Sequence, residues 1–221
     1  MSETDSFIDE VTEEVRRDKL FAAFRKYGWI AVLIVVLVVG GAAWREWTKA
    51  QAEAAARRFG DAVSAAQAEN DPTARLKALE AIATSGVANG DRGIVLNFLI
   101  ASAAVEAKDQ AAALTALDKV AKDPKAAVDF RDLAELKRVL VAGASLPDSE
   151  RKAALEQLAA AGRPYRPLAL EQLALGQVQA GDKAGSIKAF KELLQEPGLT
   201  GGLRQRATAM IIALGGDPAA S

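Results

Sequence analysis

PLALEQLALGQVQAGDKAGSIKAFKELLQEP, residues 167–197, falls into two helical halves around a Gly181-Asp182 turn. Leu173-Ala174 anchors the first half, Ser186-Ile187 and Phe190 the second, and Pro197 closes the unit. Residues 94–124 repeat the arrangement with Ile100-Ala101, Lys108-Asp109, Ala113-Leu114, Leu117 and Pro124. In both copies the small residue of the second helix follows the first-helix anchor by 13, and proline follows that small residue by 11. Two copies in register point to stacked helix hairpins, because one hairpin cannot bury its own apolar face.

Small residues where paired helices cross, with a closing proline, resemble the tetratricopeptide pattern. A middle copy fits with Leu133-Ala134 in its first helix and Ala154 and Leu158 in its second; about eight extra residues, around Gly143 to Pro147, lengthen its turn. A degenerate first copy lies in 59–84, with Ala62, Val63, Leu76, Leu79 and Ile82 as its core. The helix over 203–214 has no following partner and reads as a cap. No stretch alternates with period two, so the chain reads as all-α. The expected fold class is an N-terminal transmembrane helix followed by a tetratricopeptide-like α-solenoid of helix hairpins.

Composition agrees. Of 221 residues, 48 are alanine and only 7 proline, which favours helices packed through small side chains. Lys and Arg number 28 against 29 Asp and Glu, so no basic excess exists to neutralise the phosphates of a nucleic acid. Cysteine and histidine are absent, which removes thiol nucleophiles, imidazole bases and Cys or His metal ligands. No phosphate-binding loop, dinucleotide fingerprint or nucleophile elbow occurs. Pairs such as Glu10 with Glu14 or Glu192 with Glu196 read as solvated helix faces. The expectation is a protein without catalytic residues, cofactor, metal or small-molecule substrate.

Toward the N-terminus, YGWIAVLIVVLVVGGAAW (residues 27–44) runs eighteen residues without a charge. As a helix it spans about 27 Å, close to the hydrocarbon thickness of a bilayer. Tyr27 and Trp29 mark one end, Trp44 and Trp47 the other, where aromatic rings settle among headgroups. Gly41 and Ala43 have the spacing a signal peptidase reads, and Arg16-Arg17 invites a twin-arginine reading. Against cleavage, 26 residues of charged sequence precede the run, and Asp18-Lys19 follows the arginines where an apolar residue is wanted. An uncleaved anchor is the favoured reading. Five Lys or Arg precede the span and four follow it closely, so only the Arg25-Lys26 pair leans toward a cytoplasmic N-terminus. Before the span, Phe7, Ile8, Val11, Val15, Leu20, Phe21 and Phe24 recur at helical spacing. Two readings stand for that segment: an amphipathic helix on the membrane or a partner, or a solvated extension of the span. The expected division is 1–26 before the membrane, 27–44 within it, and 45–221 as the repeat domain.

A short charged segment (FIDEVTEEVRRDKLFAAFRKYGW, residues 7–29), one span and a divergent tetratricopeptide domain together resemble the ancillary SecYEG translocon subunit family (YfgM-like, alphaproteobacterial type). The resemblance implies a bacterial inner-membrane protein with a cytoplasmic N-terminus and a periplasmic repeat domain. It implies protein partners, namely the translocon and periplasmic chaperones, and carries no catalytic residues. An accessory structural subunit of a larger membrane complex is the alternative.

In a tetratricopeptide register the first helices line an inner curve. Its inward positions would be Val95, Phe98, Ser102 and Val105; then Val128, Arg131, Glu135 and Arg138; then Leu168, Glu171, Leu175 and Val178. From these, Phe98, Ser102, Arg131, Glu135, Arg138, Glu171 and Leu175 are the candidate partner-binding groove. Apolar positions flanking charges suit a peptide or helix. The competing reading places Val105, Leu168 and Val178 in the core.

Overall fold

The computed structural model describes the backbone of residues 3–219 and the side chains of residues 25–30 and 32–219. The apolar face read over residues 7–24 lies outside the described side chains. The chain divides into two compact units, Met1–Arg58 and Phe59–Ser221.

From Glu3 onward the first unit is part of α1 (Glu3–Gln67). No proline interrupts it, and Glu53 pairs with Lys49 and Arg57 one turn away on either side. Residues 25–67 contain a stretch long and apolar enough to cross a membrane. Ile30 and every side chain from Val32 to Val39 are exposed within the chain. An apolar surface of that size marks a site of contact with lipid or with another protein. Trp44 and Trp47 lie together at the end of the run, ring centroids 5.3 Å apart, and Lys26 Nζ sits 5.5 Å from the Tyr27 ring at its start. Gly40 and Gly41 would weaken a helix in water but are tolerated in lipid, where the backbone has no competing solvent.

The second unit begins with the end of α1 and continues through α2 (Pro72–Thr84), α3 (Asp91–Glu106), α4 (Gln110–Ala121), α5 (Val128–Ala142), α6 (Asp148–Leu158), α7 (Arg166–Gln179), α8 (Lys183–Leu194) and α9 (Gly201–Ala213). Each helix from α2 onward packs on the next. Among the described residues there are no strands. The fold class is that of an all-helical tetratricopeptide-like domain.

The turns show why the hairpins form where they do. Gly181 adopts φ +78°, Asp182 N–H reaches back to Gln177 C=O at 3.0 Å, and the Asp182 carboxylate then accepts from Gly185 N–H at 2.8 Å. One residue ends α7 in the left-handed region, and the next caps α8. Lys108 and Asp109 repeat this between α3 and α4: Lys108 has φ +59°, Asp109 N–H bonds to Ala104 C=O, and the Asp109 carboxylate accepts from Ala112 N–H. The middle unit departs from this. α5 runs into a 3-10 turn over Gly143–Ser145, and Gln110 of α4 donates to Val141 C=O and Ala142 C=O, satisfying the end of α5 from outside.

The core follows the small-residue rule. Ala101, Ala104, Ala113 and Ala116 are buried in one cluster with Leu96, Ile100, Leu117 and Val120, and Ala66, Leu76, Leu79 and Ile82 extend it toward α1. Leu136, Val139, Ala154, Leu155 and Leu158 form a second cluster. Phe190, Leu193, Leu203, Ala207 and Ile211 form a third, closed by α9. Ala113 is fully buried and Ala111 exposed, which yields a test. Ala113→Leu forces four heavy-atom volumes where one fits, and is expected to cost about 1–3 kcal/mol of stability. Ala111→Leu is expected to change little. Thermal unfolding followed by circular dichroism reads the difference; equal effects would contradict the packing described.

Candidate interaction surface

Seven residues were expected to share one groove; their neighbours in the structure differ from helix to helix. Val95, Ser102 and Val105 are exposed on α3, and Phe98 between them is half-buried against the first core cluster. Val105 is half exposed, so it is surface rather than core. Arg131, Glu135 and Arg138 lie on the side of α5 that faces α4 and α6. Arg138 grips Glu135 through two hydrogen bonds, at 2.7 and 2.9 Å, and lies 3.8 Å from Asp118 of α4. The hydrogen bond to Glu135 is the largest cause of a raised Arg138 pKa. Arg131 and Glu135 line a cleft with Ala121 of α4 and Gln157 of α6.

Glu171 is 6% exposed and accepts two hydrogen bonds from Arg206 of α9, at 2.7 and 2.9 Å. Leu168, Leu175 and Val178 are half-buried in the third core cluster. Glu171 thus packs against the capping helix α9, and Leu168, Leu175 and Val178 against the third cluster. A buried carboxylate costs free energy unless it is paired, so Glu171 is a structural tie between α7 and α9. Arg166 does similar work between α7 and the end of α8, and its hydrogen bonds hold the Glu196 carboxyl below the usual glutamate range. Asp132, also buried, is bound by Arg163 at 2.9 Å.

What α5 does present outward is Phe130, Leu133, Lys137 and Leu140, spaced as Val95, Phe98, Ser102 and Val105 are on α3. Leu140 is 50% and Phe130 41% exposed. The Phe98 and Phe130 rings are tilted at 48° with centroids 6.5 Å apart, which joins the two sides into one strip. An apolar strip with two partly exposed aromatic rings, bordered by Ser102 and Lys137, has the composition of a protein-binding surface.

Residues 24–171 match the tetratricopeptide repeat-like domain family. The chain belongs to that family. The matched segment runs from the end of the pre-span segment into α7, so the strip on α3 and α5 lies wholly inside the tetratricopeptide-like domain. No curated protein and no solved structure matches the chain. Domains of this kind are typically non-catalytic and act by binding other proteins. Among the described residues no group of three or more acidic, Cys or His side chains could hold a metal ion.

Phe130, Leu133, Lys137 and Leu140 are not among the groove positions expected from the sequence. Matching Leu133-Ala134 to Ile100-Ala101 puts Val128 opposite Val95, whereas Phe130 is the matching position; the two-residue offset turns α5 about its axis by roughly 200°, more than half a turn. The available signal was Phe130, the one aromatic residue of α5, at a spacing with Leu133 and Leu140 that reproduces Val95, Phe98 and Val105.

Proposed function

We propose that this chain is a membrane-anchored protein-interaction module whose partners dock on the strip formed by α3 and α5. The observation that carries the reading is the apolar run of exposed Val95, Phe130 and Leu140 with half-buried Phe98 on a tetratricopeptide-like domain. The anchor is residues 27–44, with 1–26 cytoplasmic and 45–221 periplasmic, in a bacterial inner membrane. The Arg25-Lys26 boundary and the likeness to the ancillary translocon subunits support that orientation. The partners that likeness favours are the Sec translocon and periplasmic chaperones handling exported proteins. Of the groove residues read from sequence, Phe98 and Ser102 belong to the proposed surface.

The test compares two double variants of the full-length chain in mild detergent. Phe98→Asp with Phe130→Asp puts two carboxylates into the strip and is expected to reduce co-purification of translocon and chaperone proteins by about tenfold or more. Lys152→Glu with Lys188→Glu alters exposed residues of the second helices α6 and α8 and is expected to leave capture unchanged. Circular dichroism confirms that both fold. Loss of capture in the lysine pair alone would place the partner on the other side of the repeats.

A further inference from the structure

On the side of α5 away from the strip, the ends of α4, α5 and α6 enclose a cleft of about 280 Å³. Its polar lining is Arg131, Asp132, Glu135, Gln157 and Arg163. Two of its charges are already matched. Both Asp132 oxygens accept from a single nitrogen of Arg163, Nη1, at 2.9 and 3.1 Å. Both Glu135 oxygens are taken by Arg138, which is not among the residues lining the cleft. Arg131 is left over: it forms no ion pair with any described residue, and its buried Nε–H has no acceptor. A buried guanidinium N–H without a partner is rare in folded proteins, so an oxygen from outside the described side chains is expected to accept from it.

We propose that this cleft binds a single carboxylate, held by Arg131 with help from Arg163 and the Gln157 amide. The charge balance selects the ligand. Arg131 and Arg163 against Asp132, with Glu135 neutralised from outside, leave one surplus positive charge, which suits a monoanion. A dianion would bring its second charge against the buried Asp132. The guanidinium fork pairs with carboxylate or phosphate oxygens alike, so charge discriminates: phosphate is largely a dianion near neutral pH and a carboxylate is a monoanion. Arg163 engages Asp132 through one nitrogen only, so its other N–H groups remain to contact the same ligand. The site is separate from the strip of Phe98 and Phe130 and does not depend on the function proposed for it. The carboxylate could come from a free monocarboxylate or from an acidic side chain of a bound protein.

The experiment follows arginine Nε–Hε resonances of the ¹⁵N-labelled full-length protein in non-ionic detergent, the Arg131 signal being assigned by its loss in Arg131→Gln. Sodium acetate, N-acetylglutamate α-amide and sodium phosphate are titrated against sodium chloride at matched ionic strength. The Arg131 signal is expected to shift saturably with both carboxylates, and phosphate is expected to bind about tenfold or more weakly. Tighter binding of the glutamate amide assigns an acidic side chain as the source; tighter binding of acetate assigns a free carboxylate. A second reading uses melting temperature, which either carboxylate should raise in the unaltered protein but not in Arg131→Gln. Shifts no larger than those with chloride, or phosphate binding as tightly as acetate, would overturn the proposal.

Discussion

Val35→Lys combined with Val36→Lys releases the chain from the membrane. Ile30 and the eight residues from Val32 to Val39 are all Val, Ile or Leu, and on the insertion scale they contribute about −3 to −5 kcal/mol together. Each lysine at the centre of a span costs roughly 2.5–3.5 kcal/mol, so two of them reverse the sign of the sum. Tyr27, Trp29, Trp44 and Trp47 anchor the ends and cannot compensate at the middle. The unaltered chain is expected in the membrane pellet, and protease added to spheroplasts should remove the repeat domain. The double variant is expected in the soluble fraction, with its repeat domain protected inside the cell. A variant that still pellets and stays protease-sensitive would mean that residues 27–44 are not the anchor. A repeat domain protected in the unaltered chain would reverse the orientation.

The second large effect is in the repeats. Phe190 is 1% exposed and packs with Leu193, Leu203, Ala207 and Ile211, so Phe190→Ala leaves a cavity and is expected to cost about 3–5 kcal/mol. The third cluster meets the second only through α7, where Leu168 and Leu170 pack against both, and stacked repeats open in parts. The loss should therefore be local. Hydrogen exchange over α7, α8 and α9 is expected to accelerate about a hundredfold or more, while α3 and α4 stay protected. Uniform acceleration through α3 to α9 would show that the domain unfolds as one unit instead.

The hairpins were legible because their signals are local. Gly181-Asp182 and Lys108-Asp109 place a left-handed residue directly before a capping aspartate, and a turn of that kind needs no information from elsewhere in the chain. The span was legible for a similar reason, since a run of Val, Leu and Ile without charge declares itself. The candidate site depended on rotation about helix axes, which is not local. Helix α5 carries apolar residues on two sides: Leu136, Val139 and Ala142 are buried, while Phe130 and Leu140 are exposed. Periodicity cannot say which of two such stripes is core. Asp132 and Glu171 made this harder, because their burial rests on Arg163 and Arg206, 31 and 35 residues further along the chain.

The central claim, that partners dock on the outward side of α3 and α5, can be read in intact cells. A photoreactive amino acid placed at Ser102 or Lys137 borders the strip without removing its aromatic rings; the same group at Lys152 or Lys188 reports the second helices α6 and α8. Irradiation is expected to link Ser102 and Lys137 to a translocon or chaperone protein, and the links should vanish when Phe98→Asp and Phe130→Asp are added. Adducts from Lys152 and Lys188 but none from Ser102 and Lys137 would contradict the account.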